Sequence, residues 1–224
     1  QIEPKILFAI ESYNYNGKRI DCSQKIENLR EKISSIEKVI LIKELENFDE
    51  SIESVSAKLN SSNYINFNDL INNTSTDIKF EQLDFDHPVY IMFSSGTTGK
   101  PKCIVHGAGG TLLQHFKELH LHTDVKREDK IAYYTTCGWM MWNWLVSGLQ
   151  LGASIVLIDG SPVYPDNEIL WKNIEEEGIT IFGTSPKYLS SIEKSGMVPK
   201  EKFDLSNLKT ILSTLFSIIK VFLC

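Results

Sequence analysis

The sequence predicts an α/β fold, with mostly parallel sheets and flanking helices. Two observations carry this expectation. Short β-branched runs at Ile6–Ile10 and Val39–Ile42 bracket a segment whose apolar residues recur every three or four positions. Strand–helix–strand alternation of this kind is the pattern of a parallel, doubly wound sheet. From Pro88 the same alternation resumes and runs to about Lys194, with no repeat at a solenoid period.

Taken in order, Ile6–Ile10 reads as a short buried strand. Over Asp21–Ile36, the positions Ile26, Leu29, Ile33 and Ile36 form one apolar face, and Asp21 or Ser23 supplies the cap of an amphipathic helix. Val39–Ile42 is again a strand. Residues 44–80 are polar and rich in Asn, Ser and Glu, and read as a surface connection with one weak helix around Ile52–Leu59. Strand Val89–Phe93 follows, then strand Cys103–His106. Gly107–Gly110 opens a helix from Thr111 to about Leu121, with Leu112, Phe116 and Leu119 as its apolar stripe. Strand Ile131–Thr135, a helical segment rich in Trp and Met, strand Ser154–Ile158, helix Glu168–Glu176, strand Thr180–Phe182 and helix Pro186–Lys194 complete the series.

Composition narrows the function classes. The chain has 224 residues, 42% hydrophobic and 23% charged, which is ordinary for a soluble globular protein. A net charge of −6 argues against general affinity for nucleic acid or an anionic membrane, because both need an extended basic surface. An anionic ligand must be held by local positive charge. The four cysteines, Cys22, Cys103, Cys137 and Cys224, show no C-x-x-C pair, so neither a zinc knuckle nor a disulfide framework is indicated and a reducing cytosol is expected. No signal peptide is visible at Gln1-Ile2-Glu3-Pro4-Lys5, and a first residue other than Met leads us to expect an upstream portion. The apolar run Ile211–Cys224 contains Lys220 and is too short for a membrane span, so it reads as a buried strand and a chain end.

The most informative stretch is Tyr90–Lys102, an apolar run that should be a buried strand feeding a loop of hydroxyls, glycines and lysines. Gly96 and Gly99 allow a tight turn and close approach to a ligand. Ser94, Ser95, Thr97 and Thr98, with successive backbone N–H groups, can donate to phosphate oxygens. Lys100 and Lys102 add positive charge, and a hydrogen bond to a charged group is worth roughly 1.5–3 kcal/mol. Three readings compete. A Walker-type loop would place Ser94 where its first Gly belongs and Pro101 where its magnesium-binding Ser/Thr belongs, and the continuation looks like a strand rather than a helix. A solvated Ser/Thr/Gly turn is the bland alternative. The third is the phosphate-binding loop of the acyl-adenylate-forming enzymes, which Ser-Ser-Gly-Thr-Thr-Gly-Lys-Pro-Lys closely resembles.

That resemblance extends along the chain from Gln1 to about Thr214, and its pattern is similar to the acetoacetyl-CoA synthetase (acetoacetate–CoA ligase) family. Two further blocks carry it: Thr136–Leu149, with its run Cys-Gly-Trp-Met-Met-Trp-Asn-Trp, and Leu157–Pro162 through Phe182–Pro186. The resemblance implies a partial large domain of an adenylate-forming enzyme and a two-step reaction. A carboxylate, most simply that of acetoacetate, attacks the α-phosphorus of Mg·ATP, with Mg2+ entering on the nucleotide. The thiol of coenzyme A then displaces AMP. Catalysis by such an enzyme rests on positioning and on neutralising phosphate charge. Ser94, Ser95, Gly96, Thr97, Thr98, Gly99 and Lys100 then look like the cradle for the β- and γ-phosphates, Lys100 stabilising charge catalytically. Lys102 looks like a supporting cation or a solvated strand-start lysine.

In the same resemblance Trp139, Met140 and Met141 form the wall of an acyl pocket, although a Trp/Met run is equally a core segment. An indole N–H at Trp139 can donate to the 3-keto oxygen of acetoacetate. Thr184 and Ser185 border the nucleotide and acyl pocket, or serve as a helix N-cap. His87, His106, His115, His120 and His122 lack the i, i+4 pairing of a helical metal site, so no resident metal is expected. Small-molecule partners are implied, with no nucleic acid and no membrane.

The chain departs from the family after Thr214. A small-residue turn approaching adenine is expected there, and Leu215–Cys224 is a bulky apolar run instead. We therefore expect residues 1–214 to be an internal fragment of the N-terminal AMP-binding domain, residues 215–224 an aberrant tail, and the small C-terminal domain to be absent. A non-catalytic remnant with weak anion binding, a ligase for another short acid such as acetate, and a small-molecule kinase are the alternative functions. The kinase would need a magnesium-binding carboxylate near the loop, which is not evident.

Overall fold

The computed structural model describes residues 2–42, 63–72, 77–94 and 99–213. It divides into two compact units, Gln1–Gln82 and Leu83–Cys224.

In the first unit, β1 (Ile6–Ile10), β4 (Lys38–Ile42) and β5 (Tyr64–Asn66) form a parallel sheet in the order β1-β4-β5. The crossover from β1 to β4 carries helix α1 (Ser23–Lys32), whose Ile26 is buried against Val39 and Leu41. Asp21 accepts from the Ser23 N–H at 2.7 Å just ahead of the helix, which ends at Lys32, short of the expected Ile36. Between β1 and α1 lies a feature absent from the sequence-based expectations. Strands β2 (Ser12–Tyr15) and β3 (Lys18–Asp21) pair antiparallel around Asn16-Gly17, with φ of 54° and 73°. Asn-Gly at two left-handed positions is the preferred chemistry of a two-residue hairpin. The stretch expected to be only a surface connection also contributes β5 and helix α2 (Phe67–Asn72). The weak helix expected around Ile52–Leu59 lies outside the described residues.

The second unit opens with β6 (Pro88–Ser94) and β7 (Lys102–Gly107), an antiparallel ribbon. Helix α3 (Ala108–Phe116) continues into one π-helical stretch, Lys117–His122. Then come β8 (Lys130–Tyr133), α4 (Met140–Val146) with a 3-10 turn at Ser147–Leu151, and β9 (Ser154–Val156). Helix α5 (Ile169–Glu177), β10 (Ile181–Thr184), α6 (Pro186–Lys194) and β11 (Thr210–Ser213) follow. The parallel sheet has the order β11-β10-β8-β9.

This sheet is covered on both faces, as parallel sheets must be. Along β8 the side chains alternate between two cores. Ile131 and Tyr133 pack with Met141, Trp144 and Leu145 of α4, whereas Ala132 packs with Leu170, Trp171 and Ile174 of α5 and Tyr188, Leu189 and Ile192 of α6. The amino ends of three strands are tied by Asp129, just before β8. Its buried carboxylate accepts from the Lys126 N–H at 2.7 Å, the Thr180 hydroxyl at 2.8 Å and Lys209 Nζ at 2.8 Å. Thr180 and Lys209 immediately precede β10 and β11.

Three expectations are corrected. Strand β1 is not buried: Ile6, Phe8 and Ile10 are exposed and only Leu7 and Ala9 are half-buried. Strand β6 is not buried: Val89, Ile91 and Phe93 are exposed and only the alternate positions Tyr90, Met92 and Ser94 are half-buried. A two-stranded ribbon covers one face only, so an apolar run does not by itself report two-sided burial. Helix α3 begins at Ala108, and its Leu112 and Phe116 are exposed while His115 and Leu119 are buried. The apolar stripe lies to one side of the buried one, because the polar His115 takes a core position.

Candidate active site

A cavity of about 700 Å³ opens in the second unit. Tyr90 and Met92 of β6 and His106 of β7 form one wall, with Thr111, Gln114, His115 and Glu118 of α3 beside them. Met140, Met141, Asn143 and Trp144 of α4 form another. Tyr133, Leu212 and Ser213 close it at the carboxyl ends of β8 and β11. A largely apolar cleft with a few polar groups, placed outside the carboxyl ends of parallel strands, is where α/β proteins bind ligands.

Local sequence explains why these groups meet. On β6, side chains alternate, so Ser94 lies on the face of Met92 and Tyr90. Ser94 pairs with Lys102 and Tyr90 with His106 across the ribbon, and cross-strand partners share a face. Ser94 and Lys102, which end the ribbon, thus share the face that Tyr90, Met92 and His106 turn to the cavity, and neither is in its lining. Gly99 has a φ of 152°, a conformation open to glycine and strained for other residues. Lys100 and Lys102 are exposed. Ser95, Gly96, Thr97 and Thr98 lie outside the described residues.

The other residues singled out from sequence separate into two sets. Met140 and Met141 line the cavity, Met140 at 43% exposure and Met141 buried. Trp139 does not line it. This residue precedes α4, is 38% exposed, and sets its ring edge-on to Tyr133 at 6.3 Å. Tyr133 is held from a second side by Trp144, edge-on at 6.2 Å. Thr184 ends β10 fully buried, and its hydroxyl has no partner among the described residues. Ser185 caps α6, its hydroxyl accepting from the Tyr188 N–H at 3.2 Å, and lies outside the cavity lining.

Sequence reading missed Tyr133, His115 and Asn143. The available signal was a polar residue interrupting an apolar helical face. The Ser147 hydroxyl donates to the Asn143 carbonyl at 2.9 Å and sits 2.8 Å from His115 Nδ1. The hydroxyl proton is thereby committed, so Nδ1 of a neutral His115 carries its own proton and donates. Burial, reinforced by the charge of nearby His106 and opposed by Glu118, pushes the His115 pKa below its ordinary value. A histidine whose folded pKa is depressed contributes stability that is present above its unfolded value and is lost as pH falls below it. We expect thermal stability to decline on acidification below about pH 6.5, and His115→Gln to flatten that decline in melts followed by circular dichroism. An unchanged slope in the variant would refute the assignment.

No three or more His, Cys, Asp or Glu residues cluster as a metal site among the described residues, and no described helix is long and apolar enough to cross a membrane.

Comparison with known proteins agrees with this geometry. The profile of the AMP-binding enzymes matches residues 1–217. The chain is 46% identical over 217 residues to the acetoacetyl-CoA synthetase of Mus musculus and 44% identical over 214 residues to that of Danio rerio. Each alignment covers 96% of this chain, which spans 32% of the relative's length. The structure of acetoacetyl-CoA synthetase from Streptomyces lividans superposes with a TM-score of 0.82 at 37% identity, over 94% of this chain and 31% of that one. With its loop-bearing ribbon, its parallel sheet and a profile match over nearly its whole length, this chain belongs to the AMP-binding enzyme family.

Proposed function

We propose that this stretch of chain supplies the phosphate-binding loop and acyl pocket of a ligase that activates acetoacetate with ATP and passes it to coenzyme A. The observation that carries the reading is the cavity shared by the β6–β7 ribbon, which bears the loop, and by Met140 and Met141 of α4. The names of its relatives, acetoacetyl-CoA synthetases, support the choice of acid and of thiol. Residues 1–214 are read as part of the large N-terminal domain, with 215–224 outside it.

In this reading Ser94, Ser95, Gly96, Thr97, Thr98, Gly99 and Lys100 hold the β- and γ-phosphates, with Lys102 in support. The described residues fit an anion there: Ser94 and Lys102 pair at the two ends of the loop, and Gly99 leaves room for close backbone approach, with nothing within 4 Å of where a Cβ would stand. Mg2+ enters with ATP. Lys100 neutralises charge as pyrophosphate separates, which is transition-state stabilisation by a placed cation. Met140 and Met141 bound the acyl chain, and one methylene in such a pocket is worth about 1–3 kcal/mol. Thr184, with its unpartnered hydroxyl, and Ser185 border the nucleotide side, and Trp139 backs the wall through Tyr133.

The test is calorimetric titration of the chain with Mg·ATP and with acetoacetate. Saturable binding of both is expected, and Lys100→Ala with Lys102→Ala should weaken Mg·ATP by about tenfold or more while leaving acetoacetate unaffected. Absence of any Mg·ATP binding, or equal affinity in the double variant, would sink the reading in favour of a non-catalytic role.

A further inference from the structure

The cavity holds a buried amide whose hydrogen-bonding capacity the fold does not fully use. Among the side chains lining it, the imidazole of His115 and the amide of Asn143 are more than nine-tenths buried, at 7% and 8% exposure. His115 has Ser147 as a partner. Asn143 has a poor one: its Nδ2 donates to Met92 Sδ at 3.4 Å, and a thioether is a weak acceptor. The amide carries a second Nδ2 hydrogen and an Oδ1 that find no partner among the described residues. Met141, Trp144 and Tyr133, which line the cavity with it, present mostly apolar surface. A buried amide so placed costs free energy until something bonds to it.

The position is also fixed. Asn143 lies one turn beyond Met140 on α4, so both project from one side of the helix. Its backbone carbonyl accepts from the Ser147 hydroxyl, which His115 holds in turn. Two other candidate donors are committed or displaced. Gln114 Nε2 donates to Glu118 at 3.0 Å, and the Trp139 side chain is outside the lining.

We infer that Asn143 Nδ2 donates to the oxygen on C3 of a bound 3-oxo acid and so separates such acids from plain short-chain acids of the same length. This assignment rests on the ligase reading and names the side chain that gives it specificity. Butyrate, with a methylene at C3, leaves the amide unpaired, whereas acetoacetate satisfies it.

The experiment measures calorimetric affinity of the full chain for acetoacetate and for butyrate, with Mg·ATP present. Wild type, Asn143→Leu, Asn143→Ala and Asn143→Ser are compared, and circular dichroism melts check folding. Wild type should favour acetoacetate by about tenfold. The Leu and Ala variants should bind the two acids alike. Asn143→Ser, which keeps a donor, should restore part of the preference. Preference surviving in both the Leu and Ala variants, equal weakening of both acids, or failure of all three variants to fold would overturn the inference and leave Asn143 a packing residue. Wild type that binds neither acid nor Mg·ATP would instead overturn the ligase reading itself.

Discussion

Replacement of Asp129 by Ala is expected to destabilise the second unit by about 3 kcal/mol, and to lower its melting temperature by roughly 10 °C. The carboxylate is 1% exposed and collects three hydrogen bonds from the segments that start β8, β10 and β11. Burial alone would raise its pKa, but the bonds from Lys209, Lys126 and Thr180 outweigh it and hold the group below the usual carboxylate range. A carboxylate with a depressed folded pKa contributes stability that is full above its unfolded value, about 3.9, and is lost as pH falls. Wild-type stability should therefore drop steeply between about pH 4 and the acid limit, and the Ala variant should show a shallower drop from a lower start. Asp129 sits at the amino ends of the strands and the cavity at their carboxyl ends, so affinity for ligands measured well below the melting temperature should change little. A variant that melts like wild type, or one that loses binding without losing stability, would show the tie to be misassigned.

Gly183→Ala is expected to cost about 2 kcal/mol, and also to damage the cavity. A Cβ on Gly183 would stand 2.0 Å from Cδ2 and 2.6 Å from Cγ of Tyr133, its neighbour across β8 and β10. Contacts this short are not tolerated, so the ring must move. Tyr133 is 3% exposed, flanked edge-on by Trp139 and Trp144, and borders the cavity, so its ring is pushed toward that space. Displacing it shifts a cavity wall, and under the proposed ligase function the affinity for acetoacetate should fall by about tenfold or more. Gly138→Ala is the matched control, since nothing lies within 4 Å of where its Cβ would stand and its backbone is not left-handed. Indole fluorescence from the Trp139–Trp144 segment and thermal melts report both effects. Wild-type behaviour of Gly183→Ala would refute the steric argument.

Much of the site is legible in the sequence, for local reasons. The loop chemistry of Ser94–Lys102 and the Trp/Met run of α4 are contiguous, so their character is carried by neighbouring residues. The hairpin at Asn16-Gly17 is equally legible and went unread. Asn143 and Tyr133 are not legible as site residues, because what distinguishes them is a poor partner 51 residues away and two flanking rings. Likewise Leu112 and Phe116 mark an apolar stripe in sequence, and nothing local says that His115 takes the buried side instead.

Alternation of short apolar runs with helical periods determined the α/β class by itself, since backbone hydrogen bonding and side-chain period are properties of consecutive residues. Loop residues that suit phosphate were determined in the same way. Tertiary structure alone decided which side of each element is buried, which strand neighbours which, and which polar groups end up in an apolar cavity without partners. Those outcomes depend on desolvation by residues distant in the chain, and no local pattern encodes the distance between Asn143 and Met92.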